Sequence, residues 1–444
     1  MKNILIIGAG RSSGALIGYV LKQAERHGWN VVVADTDPEA ARQKINGHPN
    51  GRAAWLDVHK VNDRRDLINR ADVVVSLLPA HLHLEVGQDC ITLNKHLITA
   101  SYVSKEMYQL GDLARSRDLV FMGEMGLDPG IDHMSAMKII HDIQQRGGEI
   151  RSFSSYTGGL VCAEDLTDNP WKYKFTWNPR NVVLAGQGTA QYLEDGRYKY
   201  IPYNRLFSDI RKISIPELGE FEVYANRDSL LYREVYGLKD IPTIVRGTIR
   251  YPGYCAGWDA LVKIGLTDDS YPIVDSEELT YHELMNAFVS HLVSGSSVRD
   301  RVAEMLGETP HSKIMKKLDW LGLFRKIRIQ LPSATPAQIL EHLLLERWKL
   351  EPTDRDLILM QHEFEYELEG ESKTLVSTLV MRGEDSERTA MSKLVGLPMG
   401  ILVKELMLGN IKQTGTQVPV ERHVYGPVLE ELENYGVVFQ EEYR

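Results

Sequence analysis

The first fourteen residues constrain this chain more than any other stretch. An apolar run, Ile4 to Ile7, stops at Gly8-Ala9-Gly10-Arg11-Ser12-Ser13-Gly14, and a helical pattern with Ala15, Leu16, Tyr19 and Val20 follows. A strand that ends in glycines and hands over to a helix suits a nucleotide pyrophosphate. Glycines let the backbone come close, and the helix start offers free N–H groups and the positive end of its dipole. The spacing is GxGxxxG rather than GxGxxG, so the assignment leans on the strand before it and the helix after it. Gly8, Gly10, Arg11, Ser12 and Ser13 are the resulting cofactor-binding candidates.

A second apolar strand, Trp29 to Ala34, ends in Asp35, 25 positions after Gly10. An acidic residue at about that distance accepts hydrogen bonds from the adenosine ribose and repels a 2′-phosphate. Thr36 and Asp37 directly behind it bring no compensating cation, so NAD is predicted ahead of NADP. Two alternatives stay open: Asp35 as a cap for the helix starting at Pro38, and Arg11 as a phosphate receiver, which keeps NADP as the second candidate.

At 444 residues the chain has room for two or three cores. A formal charge of -10 argues against nucleic acid and anionic membranes as partners. Cys90, Cys162 and Cys255 lie far apart with no paired metal spacing, which suggests a reducing compartment. The N-terminal apolar run is too short for a signal peptide and no stretch approaches a membrane span, so a cytoplasmic protein is expected. No zinc signature, P-loop, GxSxG or CxxC occurs, and no metal is expected.

Residues 1 to about 125 alternate short apolar strands (Asn3–Ile7, Val31–Ala34, Ala53–Leu56, Val73–Leu77, His96–Ala100, Leu119–Met122) with helical patterns. That alternation predicts an α/β fold with a doubly wound parallel sheet. Small or polar groups close each strand, and Asp57, Ser76, Leu77, Leu78, Ala100 and Leu127 join the cofactor candidates lining the carboxyl ends. From residue 126 the character changes: Leu127-Asp128-Pro129-Gly130 turns into a helix through Gln145, and 126–276 with 358–386 reads as a mixed α/β domain. Residues 277–357 read as a small helical insertion domain, including one helix across Glu278 to Met305. Residues 387–444 return to complete the nucleotide domain, with a helix from Glu387 to Gly409 broken at Gly396 and Pro398.

Several side chains suit chemistry. Ser101 and Tyr102 end the fifth strand, where the nicotinamide half of a dinucleotide would lie, and Tyr102 could donate to a substrate carboxylate. Asp128, followed by Pro129, suits a helix N-cap and equally a carboxylate beside a cationic amine. Arg227 and Arg250 have the planar fork that grips carboxylates, although a surface ion pair is the ordinary fate of such arginines. Trp177 suits either an apolar wall or a core position.

The strings Ala100-Ser-Tyr-Val-Ser104, Glu124-Met-Gly-Leu-Asp-Pro-Gly-Ile-Asp-His133, Ser155-Tyr-Thr-Gly-Gly-Leu160, Asp168-Asn-Pro170, Tyr173-Lys-Phe-Thr-Trp177, Asn226-Arg-Asp-Ser229 and Val245-Arg-Gly-Thr-Ile-Arg-Tyr251 resemble the L-glutamate-forming saccharopine dehydrogenases, or saccharopine reductases. The blocks come in family order over most of residues 1–255, and Thr389 to Pro398 is similar to the family's returning helix. The resemblance implies a variant Rossmann domain, an α/β domain and a helical domain. It also implies reversible NAD(P)-dependent oxidation of saccharopine to L-glutamate and L-2-aminoadipate 6-semialdehyde, in lysine metabolism. Ser101, Tyr102, Asp128, Trp177, Arg227 and Thr248-Ile249-Arg250 would contact saccharopine; the Gly8–Ser13 loop, Asp35, Asp57, Leu77 and Leu78 would hold the dinucleotide. Some relatives carry cysteine where this chain has Thr157, so a thiol role does not transfer. Asp128, Tyr102 or a bound water are the candidates for general base. A homodimer is expected. Competing expectations are a related amine-forming enzyme, such as carboxynorspermidine dehydrogenase, and a non-catalytic NAD-binding protein on the same scaffold.

Overall fold

The computed structural model describes residues 2–166, 168–289, 293 and 295–444. Its contacts divide the chain into two compact units: residues 1–150, 366–373 and 379–444 form the first, and 151–365 with 374–378 the second. Among the described residues, no helix is long and apolar enough to cross a membrane.

The first unit is built on β1 (Asn3–Ile7), β2 (Asn30–Asp35), β3 (Gly51–Trp55), β4 (Val73–Ser76), β5 (His96–Thr99) and β6 (Val120–Met122). A seventh, short strand, Gly415–Gln417, adds to β6. All pairings are parallel, and β6-β5-β4-β1-β2-β3 is the doubly wound order with its reversal between β1 and β4. Val, Ile and Leu dominate β1, β2, β4 and β5, the pattern of strands covered on both faces. The expected parallel sheet is therefore present, with strand ends within two residues of those predicted.

Helix Ala390–Leu408 runs unbroken through Gly396 and Pro398, contrary to the expected interruption. Pro398 forfeits one backbone hydrogen bond, but the helix is buried for most of its length and packing outweighs that loss. Gly396 has a different task. A Cβ there would lie 2.7 Å from the backbone nitrogen of Leu16, and one at Gly400 would lie 2.7 Å from the Tyr19 ring. The two glycines let this helix close onto Gly14–His27, the helix that follows the glycine loop, and Ser392 Oγ accepts from Ala15 N at 3.3 Å.

The second sheet contains β7 (Glu149–Val161), β8 (Ala190–Glu194), β9 (Arg197–Ile201), β10 (Ile210–Ile215), β11 (Gly219–Ala225), β12 (Thr243–Arg250), β13 (Asp356–Leu368) and β14 (Glu371–Arg382), with Gln440–Tyr443 at its edge. It is mixed: β12 runs parallel to β7 and antiparallel to β11. The expected strand at Glu363–Arg382 is a hairpin that already starts at Asp356. Within the second unit, Trp171, Trp258 and Trp348 sit in one core with Phe175, Leu318 and Leu340, so the β-rich and helical segments share it. The single helix expected across Glu278 to Met305 is two, Tyr281–Phe288 and Val298–Leu306; residues 290–292 and 294 between them lie outside the described residues.

Gly396→Leu should lower the melting temperature, since overpacking of this kind costs about 1–3 kcal/mol. Gly18→Ala, on the same first helix but with nothing within 4 Å of the new Cβ, should raise it slightly. Thermal unfolding of both variants checks the pair.

Candidate active site

The switch point between β1 and β4 brings the glycine loop to the carboxyl end of the first sheet. Gly8 takes φ +110°, and a Cβ there would press on Leu77 at 3.1 Å. Gly10, by contrast, faces open space. The 3₁₀ turn Arg11–Ser13 runs straight into helix Gly14–His27, so the start of that helix lies directly behind the loop. A loop with room over Gly10 at the start of a helix fits a pyrophosphate.

Asp35 does not cap the following helix; Asp37 does, accepting from Glu39 N at 3.0 Å and Ala40 N at 3.3 Å. Asp35 instead turns back to the loop, where its Oδ2 accepts from Ala9 N at 2.6 Å and its Oδ1 from Asp37 N at 2.9 Å. Lys44, on helix Pro38–Ile45, reaches the same loop. Its ammonium donates to the Gly10 carbonyl and to Ser13 Oγ, the latter at 2.8 Å. Burial holds its pKa below the usual lysine value, against the pull of Asp35. The expectation that no cation accompanies Asp35 is thus corrected: the cation comes from nine positions downstream rather than from Thr36 or Asp37. Asp57 lies just beyond β3, half-buried, and accepts from His59 N at 3.1 Å.

At the ends of β4 and β5, Ser76 and Ser101 are joined by a residue that sequence inspection passed over. His83 places Nδ1 2.9 Å from Ser76 Oγ and Nε2 2.9 Å from Ser101 Oγ. A neutral imidazole has one donor and one acceptor nitrogen, so the two hydroxyls must take opposite roles. Burial, with a smaller contribution from His81, pushes the His83 pKa down to about 4. Its place in Ala80-His81-Leu82-His83 gives no periodic or motif signal that separates it from a surface histidine.

Asp128 is not an N-cap. Gly130 holds that position and helix Ile131–Gln145 starts one residue later, after the cis Asp128–Pro129 peptide. Asp128 is half-buried and accepts a hydrogen bond from Tyr102 at 3.1 Å. The segment carrying it is fastened from below. Buried Glu124 accepts from Val103 N at 3.1 Å and meets His133 Nε2 at 2.8 Å, while Asp132 accepts from Gly130 N at 2.5 Å. Ala100 lines the same place, 3.1 Å from where a Gly126 Cβ would stand, and Leu127 is buried.

In the second unit, strand register sets out a polar face. Arg250 pairs with Glu222, Thr248 with Tyr224 and Thr157, and Arg246 with Ser155. With the period-2 alternation, these side chains share one side of the sheet and Ile249 faces the other, fully buried. Arg250 is only 3% exposed. Its guanidinium lies 5.1 Å, 5.6 Å and 5.1 Å from the rings of Tyr173, Tyr224 and Tyr254. Nη1 donates to the Ile249 carbonyl at 3.0 Å and Nη2 to Tyr224 Oη at 3.2 Å. Nε is buried with no partner, as is the hydroxyl of Thr157. Among the described residues no carboxylate pairs with Arg250. The surface ion pair is thereby excluded for it, and the tyrosine cage around it went unrecognised, although Tyr173 heads one of the resembling strings. Arg227 sits at the exposed turn after β11 with φ +49°, and Trp177 packs half-buried against the aromatic core.

Comparison with known proteins assigns the chain. Residues 4–122 match the family model described as saccharopine dehydrogenase NADP binding domain, and 126–437 match the saccharopine dehydrogenase C-terminal domain. The chain belongs to the saccharopine dehydrogenase family. It is 32% identical over 100% of its length, and 99% of the relative's, to saccharopine dehydrogenase [NADP(+), L-glutamate-forming] of Schizosaccharomyces pombe. It is 34% identical to alpha-aminoadipic semialdehyde synthase of Arabidopsis thaliana, over 93% of this chain but 40% of that one. The apo saccharopine dehydrogenase (L-Glu forming) of Saccharomyces cerevisiae superposes with TM-score 0.89 at 30% identity, covering 100% of both chains. The α/β architecture and the family resemblance read from the sequence are borne out. The family model and the fungal relatives carry NADP in their names, where the sequence placed NAD first.

Because His83 charges near pH 4 when folded and near 6.5 when unfolded, the unfolded chain takes up the proton first. Stability attributable to this site is intact above 6.5 and falls by up to about 3 kcal/mol as pH drops through that window. His83→Gln should therefore show a shallower loss of melting temperature between those pH values than the unaltered protein.

Proposed function

We propose that this chain catalyses the reversible reaction saccharopine + NAD(P)⁺ + H₂O ⇌ L-glutamate + L-2-aminoadipate 6-semialdehyde + NAD(P)H + H⁺. The observation that carries this is Arg250: a buried guanidinium with an unpaired Nε and, among the described residues, no carboxylate partner is suited to a substrate that brings its own. Saccharopine brings three. Arg227 takes a second carboxylate at the rim, Thr248 and the Ile249 backbone complete the polar wall, and Trp177 flanks the apolar stem.

The first unit holds the dinucleotide on the Gly8–Ser13 loop with Asp35, Asp57, Ser76, Leu77, Leu78, Ala100 and Leu127 around it. When bound, the nicotinamide supplies the hydride acceptor. Ser101 orients the substrate through the hydroxyl that His83 fixes. The substrate's secondary amine must lose its proton before hydride leaves the adjacent carbon, the one that becomes the aldehyde. Asp128 and the Tyr102 hydroxyl, already sharing a hydrogen bond, are the groups assigned to hold that proton. Water then adds to the imine and releases glutamate.

NAD is the preferred cofactor in this proposal, supported by the carboxylate of Asp35 at the end of β2. A cytoplasmic homodimer is also proposed, supported by three buried cysteines, none in a disulfide, and by Tyr198 and Tyr200, which stack at 6.5 Å on β9, each 55% exposed.

Steady-state oxidation of saccharopine, followed by nicotinamide absorbance, should show a higher kcat/KM with NAD than with NADP and no turnover of carboxynorspermidine. Arg227→Ala should raise the saccharopine KM by about tenfold, equivalent to about 1.4 kcal/mol, and leave cofactor Kd unchanged. Unaltered saccharopine kinetics in that variant would remove Arg227 from the site.

A further inference from the structure

The serine–histidine–serine chain at the ends of β4 and β5 has a direction, and the unequal burial of its two ends sets it. His83 places Nδ1 2.9 Å from Ser76 Oγ and Nε2 2.9 Å from Ser101 Oγ. Burial, with a smaller push from His81, holds its pKa at about 4. At neutral pH the ring is therefore uncharged, with a hydrogen on one nitrogen and a lone pair on the other. Two arrangements are open. If Nδ1 carries the hydrogen, it donates to Ser76 Oγ, and the Ser76 hydroxyl hydrogen then needs an acceptor of its own. Ser76 is 0% exposed, and among the described residues its Oγ has no hydrogen-bond partner except His83. That arrangement strands a hydroxyl hydrogen in the interior, out of reach of protein acceptors and of water. If Nε2 carries the hydrogen, Ser76 donates to Nδ1 and Nε2 donates to Ser101 Oγ, and every group is satisfied. Ser101 is half-buried, so its own hydrogen remains for a group outside the protein.

We propose that His83, locked by Ser76 with its hydrogen on Nε2, is a positioning residue that commits the Ser101 hydroxyl to donating, so that this corner of the site selects a carboxylate oxygen. A serine left to itself rotates its hydroxyl to suit a donor or an acceptor. Here the Nε2 hydrogen occupies one lone pair of Oγ, polarises the O–H bond and strengthens its donation to the ligand. The reverse direction would spend the Ser101 hydrogen on Nε2 and turn only lone pairs toward a carboxylate, which repels them. The choice is made inside the protein before the ligand arrives, so binding loses less freedom. That the accepting oxygen belongs to saccharopine rests on the reaction proposed above; the direction of the chain does not.

Two measurements test this. Nitrogen-15 NMR of labelled histidine in the unaltered chain at neutral pH, with the His83 ring assigned through its backbone, reports which ring nitrogen carries the hydrogen. The expected result is Nε2–H; Nδ1–H, or an even mixture of the two tautomers, would overturn the proposal. The second measurement is a double-mutant cycle on the saccharopine KM. His83→Phe and Ser101→Ala should each raise KM by about tenfold, whereas His83→Phe added to Ser101→Ala should change it by less than about threefold, because no hydroxyl is left to orient. An equal effect of His83→Phe with and without the Ser101 hydroxyl would make His83 a purely structural residue and overturn its positioning role. The tautomer is read on the unaltered chain, so it decides the matter even where His83→Phe does not fold. A chain that turns over no saccharopine yet shows Nε2–H would refute the reaction and leave Ser101 a committed donor.

Discussion

A guanidinium buried without a counter-charge among the described residues is the constraint around which the second unit is arranged. Moving an ion out of water costs far more than the fold can absorb unless something compensates. For Arg250 the partial compensation is three tyrosine faces, each contributing about 0.5–2 kcal/mol, and two neutral oxygens. That set holds the cation in place without neutralising it. Glu222, its partner in strand register, is committed elsewhere, accepting from Gly253 N at 2.6 Å and Cys255 N at 3.0 Å. The unit thus keeps a carboxylate on the same sheet face yet spends it on a helix start. In the proposed reaction, an incoming carboxylate would meet a cation that is already largely out of water.

The first unit solves a different problem. A dinucleotide needs backbone N–H groups at a fixed height above a sheet edge, so the glycine loop must not shift. Parallel strands set the loop's origin, and the close packing of Gly14–His27 against Ala390–Leu408 sets the direction of the helix behind it. Near the expected nicotinamide end, the serine–histidine–serine chain and the Glu124–His133 pair immobilise the segments bearing Ser101 and Asp128. These buried polar contacts are costly to form and costly to break, which suits groups that must not wander.

Much of the first unit was legible because its elements obey local rules: β-branched runs for strands, glycine at the turn, an acidic residue at the end of the second strand. The short strand Gly415–Gln417 was not, since three residues without an apolar run become a strand only by pairing with β6. Pro398 misled for the opposite reason: its local penalty is real, but a buried apolar helix outweighs it. Asp128 looked like a cap because Asp-Pro is a common helix opening, whereas the helix starts after Gly130. Lys44, His83 and the cage of Tyr173, Tyr224 and Tyr254 depend on which residues tertiary structure brings together, and no spacing rule encodes that. Arg250 was singled out in the sequence as a carboxylate-binding candidate, but its burial is a property of strand register and carries no local signal.

The most direct test of the account is a crystal structure of the chain soaked with saccharopine and oxidised dinucleotide. It should show a saccharopine carboxylate within hydrogen-bond distance of the Arg250 guanidinium, with Nε or an Nη as donor. A bound saccharopine whose carboxylates all lie elsewhere, with Arg250 still facing only its tyrosines, would contradict it.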